Sequence, residues 1–145
     1  MSITPIRLQP TKSGKHCATI PRVTLSFANN RLVINKAMRE KVGLSVGDYL
    51  AIAFENSGTM NPALCIAKSK EMNPSMCVVL RDGRTNGALS SSSRSLIRAI
   101  ADRYGITTTQ YASLVWQPAE GYPIERSGGY DWHVVGTPQK MKTIK

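Results

Sequence analysis

The chain has 145 residues, of which 41% are hydrophobic and 19% are charged, and its formal net charge is +10. This length allows one domain with a sizeable core, or two fused copies of a smaller unit, and it excludes a large multidomain enzyme. The hydrophobic fraction is typical of a globular protein, so bulk disorder is also excluded.

The positive charge is concentrated at the two ends of the chain. Residues 1–22 contain four cations and residues 133–145 contain three, with no acid in either segment, so these ends supply seven of the ten net charges. Such segments suit a polyanion, because each neutralised phosphate releases counterions. They equally favour solubility, and charge alone does not decide between the two interpretations. We interpret residues 1–18 as an extended basic arm and residues 118–145 as a loop with a basic tail.

The cysteines and the hydropathy pattern indicate the compartment. Cys17, Cys65 and Cys77 lack the CxxC spacing of a zinc or redox site, and the last two lie in apolar runs, where free cysteine is a small core residue. The chain has neither the apolar segment of a signal peptide nor the run of ~18 apolar residues of a membrane helix. These features predict a cytoplasmic protein that does not bind a membrane.

The first half of the chain predicts short strands around a short helix. Val23 and Leu25 alternate with polar residues, as in a half-buried strand. Asn35 is expected to cap the helix, and Gly43 is expected to end it in the left-handed conformation. The predicted strands of this half are 23–27, 31–34 and 49–54, with turns at 28–30 and 45–48.

The second half predicts further strands and a longer helix. Leu96, Ile97, Ile100 and Tyr104 share one face of a helix of about three turns that ends at Gly105. Strands are predicted at 63–68, 76–81 and 111–116, followed by a loop at 118–129 and a short edge strand at 132–135. The prediction is an α+β fold, a small barrel or sandwich of short strands with one short and one longer helix, formed by residues 19–117.

Two segments of the chain align with each other without a gap. They are residues 41–54 and 103–116, and they match Gly43 with Gly105. Both predict the end of a helix, a glycine, a turn and a strand, which favours an internal duplication. Coincidence stays open as the alternative, because this type of helix ending selects glycine in any case. The full pseudo-repeat would comprise residues 31–54 and 89–116.

The stretch Arg31-Leu-Val-Ile-Asn-Lys-Ala-Met-Arg, followed by Val42-Gly-Leu and Gly47-Asp, resembles a known motif. It is similar to the swapped hairpin of AbrB/MazE-type (SpoVT-AbrB-like) domains, and the match extends from Arg22 to Phe54. Asn35 replaces the usual proline at the helix start, where it can still cap the helix. The modules of this family are about a third of this length and pair as dimers. The resemblance therefore implies a single-chain pseudo-dimer in which the second copy replaces the partner.

The resemblance also implies a basic DNA-binding face, formed beside the hairpin turn and on the short helix. Arginine there can bind phosphate or guanine with two hydrogen bonds, whereas lysine acts as a point charge. An ordinary solvated helix face is the alternative for each helical residue, and Arg98 could pair with Asp102 on its own helix. The candidate DNA-binding residues are Arg22, Arg31, Lys36, Arg39 and Lys41, together with Arg94 and Arg98 of the second copy.

The sequence shows no catalytic constellation. Two histidines cannot form a His-rich metal site or a HExxH helix, and Ser13-Gly-Lys-His lacks the spacing of a phosphate-binding loop. Asp131 and His133 have no nucleophile near them in sequence. We predict no enzymatic activity, no cofactor, no metal and no small-molecule substrate.

These observations favour a non-enzymatic DNA-binding protein, a transcriptional regulator of the swapped-hairpin type that also self-associates. A structural or assembly protein, such as a viral or phage particle component located in the virion, is the first alternative, in which basic arms hold neighbouring subunits. An antidote that binds a toxin is the second. Such proteins usually carry an acidic or apolar tail, and this tail is basic.

Overall fold

A computed structural model describes residues 20–55, 61–71, 77–83, 87–107 and 111–142. The predicted basic arm at residues 1–18, with Cys17, lies outside the described residues, and so does Lys145 in the tail.

The described residues form two helices, α1 (Lys36–Val42) and α2 (Arg94–Arg103), and eleven strands. The strands are β1 (Val23–Ser26), β2 (Arg31–Ile34), β3 (Tyr49–Phe54), β4 (Leu64–Ser69), β5 (Cys77–Val79), β6 (Arg81–Asp82), β7 (Leu89–Ser91), β8 (Tyr111–Trp116), β9 (Ile124–Ser127), β10 (Tyr130–Gly136) and β11 (Gln139–Lys142). The predicted α+β class with one short and one longer helix is thereby confirmed.

The strands form two antiparallel sheets. One has the order β11-β8-β1-β2-β7-β6 and the other β5-β3-β4-β10-β9. The chain passes from the second sheet to the first at Leu80, between β5 and β6. The Leu80 N–H donates to the Asp48 carbonyl at 2.9 Å, and the Leu80 carbonyl accepts from Gly47 N–H at 2.8 Å. The expected barrel does not close within the described residues, because the edge strands β9 and β11 do not pair with each other.

One hydrophobic core contains side chains from both sheets and both helices. Val23 and Leu25 of β1 and Leu50 of β3 are fully buried, as is Met38 of α1, while Ile97 of α2 is 3% exposed. Each such side chain contributes about 1.5–3 kcal/mol when it leaves water. Because the apolar residues of β1 alternate with polar ones, a shift of register by one residue would expose the whole set.

Both helices begin with a side-chain N-cap and are followed by a left-handed glycine. The Asn35 side chain accepts a hydrogen bond from Met38 N–H at 3.0 Å, and the Ser93 hydroxyl accepts one from Leu96 N–H at 3.2 Å. Gly43 (φ +80°) and Gly105 (φ +63°) follow the helices in the left-handed conformation. The predictions for Asn35, Gly43 and Gly105 are confirmed.

The C-terminal part contains more strand than the sequence predicted. The predicted loop at 118–129 contains β9, and the predicted edge strand at 132–135 is the interior strand β10, which pairs with β4 and β9. Glycine and proline in this segment mark turns on either side of β9, whose own side chains are all exposed and so lack an apolar pattern. The predicted strand 76–81 is interrupted at Leu80. No helix among the described residues is long and apolar enough to cross a membrane.

Candidate nucleic-acid interface

The outer face of the six-stranded sheet carries Arg31 and Arg81. A row of paired residues crosses all six strands, from Gln139 through Thr24 and Val33 to Arg81. We call this surface the arginine face. By strand alternation its outward positions are Thr24, Ser26, Arg31, Val33, Arg81, Ser90, Ser113, Val115, Gln139 and Met141. Ser90 is buried among them, and Asp82 is exposed next to Arg81 on the edge strand β6.

Arg22 extends the arginine face beyond the start of β1. Its backbone N–H donates to the Asn35 side-chain carbonyl at 3.0 Å, and the Asn35 amide donates to the carbonyl of Ile20. Asn35 therefore caps α1 and closes the β1–β2 hairpin at the same time. The Arg22 guanidinium donates to the Gln117 side chain at 3.4 Å, while its buried Nε has no partner within the described residues.

Arg31 lies at the opposite end of the same hairpin, about 13 Å away along the strand. It pairs with Ser26 next to a tight turn, in which Asn30 adopts a φ of +49°. The side chain is half-buried, and its Nε also lacks a hydrogen-bond partner among the residues described. Because the Nε of both hairpin arginines is buried, a ligand at the surface would meet their terminal Nη donors instead.

The three candidates on α1 differ in their surroundings. Lys36 and Lys41 are exposed, whereas Arg39 is half-buried. The Arg39 Nε donates to the Leu44 carbonyl, and one Nη donates to the Gly87 carbonyl, both at 3.1 Å. Two donors of this arginine therefore hold the fold together, which the helical spacing did not predict.

Arg94 and Arg98 of α2 are exposed and one helical turn apart. No ion pair of Arg98 with Asp102 is found among the described residues, whose two salt bridges join Lys68 to Asp48 and Arg126 to Asp131.

The strand pairing places the candidate DNA-binding residues in two groups, at opposite ends of the sheet. β2 leads into α1 and the antiparallel strand β7 leads into α2, so the helices begin at opposite ends of this strand pair. Arg22 and the candidates of α1 lie at one end, and Arg31 and those of α2 lie at the other. The arginine face connects the two groups. Arg81 also belongs to this face, because it lies in the separate strand β6 and not at the end of one strand 76–81, as the sequence had predicted.

An open cleft of about 610 Å³ lies near the end of the other sheet, and its walls include Val42, Lys68, Lys70, Arg126 and His133. The His133 Nδ1 is hydrogen-bonded to the Tyr122 hydroxyl at 2.7 Å. Burial lowers the pKa of His133 and raises the pKa of Tyr122.

The described residues hold no group of three or more histidine, cysteine, aspartate or glutamate side chains placed to bind a metal ion. Comparison with known proteins gives no match to a family model, to a curated protein or to a solved structure.

Proposed function

We propose that this chain binds duplex DNA through the arginine face and the helix starts beside it. The observation that carries the proposal is the placement of Arg31 and Arg81 on one face of six paired strands, between helix starts that carry exposed cations. Each phosphate that these arginines neutralise adds to affinity through counterion release, and the exposed Asp82 opposes binding at the β6 edge.

We further propose that residues 31–54 and 89–116 are two copies of one unit. Each runs strand, helix, strand. The N–H of the apolar residue after each glycine donates to a carbonyl five residues back, from Leu44 to Arg39 at 3.0 Å and from Ile106 to Ala101 at 3.1 Å. In the strands that follow, Phe54 and Trp116 are equivalent in the alignment and both pack in the core.

Exchanged strands support the same interpretation. β8, the last strand of the second unit, pairs with β1, which precedes the first unit. In the same way β3, the last strand of the first unit, pairs with β5, which precedes the second. The central strands β2 and β7 pair antiparallel about Val33 and Ser90, an arrangement related by a half-turn. This exchange is what a swapped-hairpin dimer joined into one chain would show.

The two units differ in detail. Asn35 and Gly43 are eight residues apart, whereas Ser93 and Gly105 are twelve apart, so α2 has about one extra turn. In addition, β5 pairs with the first half of β3, while β1 pairs with the second half of β8. The proposed relation is therefore one of topology rather than of identical register.

A salt-titrated binding measurement tests the proposed function. Fluorescence anisotropy of a labelled duplex is followed for the parent and for the double variant Arg31→Gln/Arg81→Gln. Loss of two phosphate contacts should flatten the dependence of log K on log salt by about 1.8. The matched control is Lys70→Gln/Arg126→Gln, which removes the same charge near the cleft of the other sheet.

The control should retain the slope of the parent. If the slope of log K against log salt flattened equally in both variants, net charge alone would explain the change. The arginine face would then not be the DNA-binding surface. A parent that shows no affinity for duplex at physiological salt would leave the assembly alternative as the better explanation. Thermal unfolding of both variants verifies that the fold is intact.

A further inference from the structure

The outer face of the five-stranded sheet has a different chemistry from the arginine face. Ala51 of β3 stands opposite Ala67 of β4 and Cys77 of β5. Around these small residues pack Tyr49, Tyr130 and Trp132, which form a cluster separate from the core. We call this surface the aromatic face.

The aromatic face is held in one geometry. Ala51 and Ala67 are fully buried beneath it, while the three aromatic side chains are half-buried. The Trp132 indole N–H donates to the Ser127 carbonyl at 3.2 Å, and the rings of Tyr130 and Trp132 lie 5.2 Å apart at 47°. A ligand would therefore meet prearranged aromatic surfaces beside a floor of small residues.

Acids border the aromatic face. Glu125 of β9 is paired with Trp132, and Glu55 directly follows β3. Both glutamates are exposed, and neither forms an ion pair within the described part of the chain. Their negative charge acts on this face, since after burial they are the next causes that raise the pKa of Cys65, to about 11. At the end of the face near Glu55 and Glu125, phosphate is disfavoured and cations are favoured. At the other end, Tyr130 borders the cleft that contains Lys68, Lys70 and Arg126.

We propose that the aromatic face binds residues 1–18 of a second copy of this chain. This segment carries Arg7, Lys12 and Lys15 without an acid, so its charge complements the two glutamates. It also carries Pro5 and Pro10, and extended proline-containing segments bind surfaces lined with aromatic side chains. Its cations can in addition stack on the rings.

The position of β1 favours a second copy over the same chain. The N-terminal segment leads into β1, an interior strand of the six-stranded sheet, whereas the aromatic face lies on the far side of the five-stranded sheet. A segment of the same chain would have to pass around the five-stranded sheet to reach this face, whereas a neighbouring molecule can present its own segment directly. The inference is independent of DNA binding, because it concerns a different surface.

Binding of a fluorescein-labelled peptide of residues 1–18 to the full chain, followed by anisotropy, tests the proposal. Trp132→Ser should weaken binding about tenfold, since aromatic anchors dominate such contacts. Glu125→Lys, an exposed change that leaves the packing intact, should weaken it by about threefold at low salt. Val115→Ser, on the outer face of the other sheet, is the matched control and should leave binding unchanged.

Peptide variants separate the two contributions. A peptide with Pro5→Ala and Pro10→Ala should bind several-fold more weakly, and so should one with its three cations replaced by Gln. The proposal is overturned if no saturable binding occurs, or if neither Trp132→Ser nor Glu125→Lys changes the affinity. It is equally overturned if a single-stranded oligonucleotide, and not the peptide, binds in a Trp132-dependent manner.

Sedimentation velocity of the full chain over a concentration series tests whether residues 1–18 bind the aromatic face of a second molecule. The mass should rise with concentration in the parent and in Val115→Ser, and the rise should shift to at least about tenfold higher concentration in Trp132→Ser. A monomer at every concentration would overturn the intermolecular arrangement.

Discussion

Replacement of Arg39 with alanine tests whether this side chain stabilises the fold or binds DNA. Its Nε contacts the Leu44 carbonyl, at the end of α1, and its Nη contacts the Gly87 carbonyl, just before β7. A single guanidinium thus connects the end of α1 to the residue that lies two positions before β7. Alanine would remove both hydrogen bonds and leave two backbone carbonyls without this donor.

The expected loss follows from the number and the burial of these bonds. A hydrogen bond from a charged donor contributes about 1.5–3 kcal/mol when it is well buried. Because Arg39 is half-buried, water can replace part of each bond, so we expect about 1 kcal/mol each and about 2 kcal/mol in all. For a domain of this size, the melting temperature should fall by about 4–8 °C.

Urea unfolding of Arg39→Ala, followed by circular dichroism, measures this loss. The control is Arg98→Ala, which removes an exposed arginine from α2 and should change stability by less than about 0.5 kcal/mol. Arg39→Lys keeps the charge but cannot donate in the same planar arrangement, and it should lose about half as much as alanine. Equal stability of the two alanine variants, with weaker duplex binding only in Arg39→Ala, would refute the structural role and assign Arg39 to the DNA contact.

Three further outcomes are expected. Gly43→Val and Gly105→Val should each lower the free energy of unfolding by more than about 1 kcal/mol, because a β-branched residue is strained at positive φ, and thermal melts would show no loss if either helix ended differently. Asn35→Ala should cost about 1–2 kcal/mol in urea unfolding, whereas replacement by Asp, another capping residue, should cost less. Burial lowers the pKa of His133 below 6.5, so the unfolded chain binds the proton more readily, and stability should fall as the pH drops from about 8 to about 5. This slope should be reduced in His133→Gln, and an unchanged slope would exclude His133 as its source.

The region of α1 could be predicted from the sequence because local signals there agree. The alternation at Val23 and Leu25, the cap at Asn35 and the glycine at Gly43 each select one conformation without help from distant parts of the chain. Their agreement explains why β1, β2, α1 and β3 were predicted close to their observed bounds.

The C-terminal strands could not be predicted in the same way, because their pairing is non-local. β9 buries none of its side chains and is held by its pairing with β10. β11 pairs with β8 and carries polar residues at an edge, where alternation gives no signal. For such strands the partner decides the conformation, and the partner is not visible in a local window.

The sequence singled out Arg22 and Arg31 only through the family resemblance, and both lie along the arginine face in the structure. It could not show that Arg39 donates to two carbonyls, since one of them, Gly87, lies 48 residues away. It also missed Arg81, whose position depends on the pairing of β6 with β7.

The two sheet faces differ in chemistry, and a duplication within one chain would allow this difference. In a symmetric homodimer, equivalent strands present identical surfaces, so a change on one face appears on both. If the two units are copies, β3 and β8 are equivalent, yet Ala51 of β3 lies under aromatic rings whereas Ser113 of β8 faces outward beside Ser26 and Met141. Covalent linkage permits this divergence, because each copy can change independently. One surface could then retain cations for a polyanion while the other acquired aromatic and acidic residues for a protein segment.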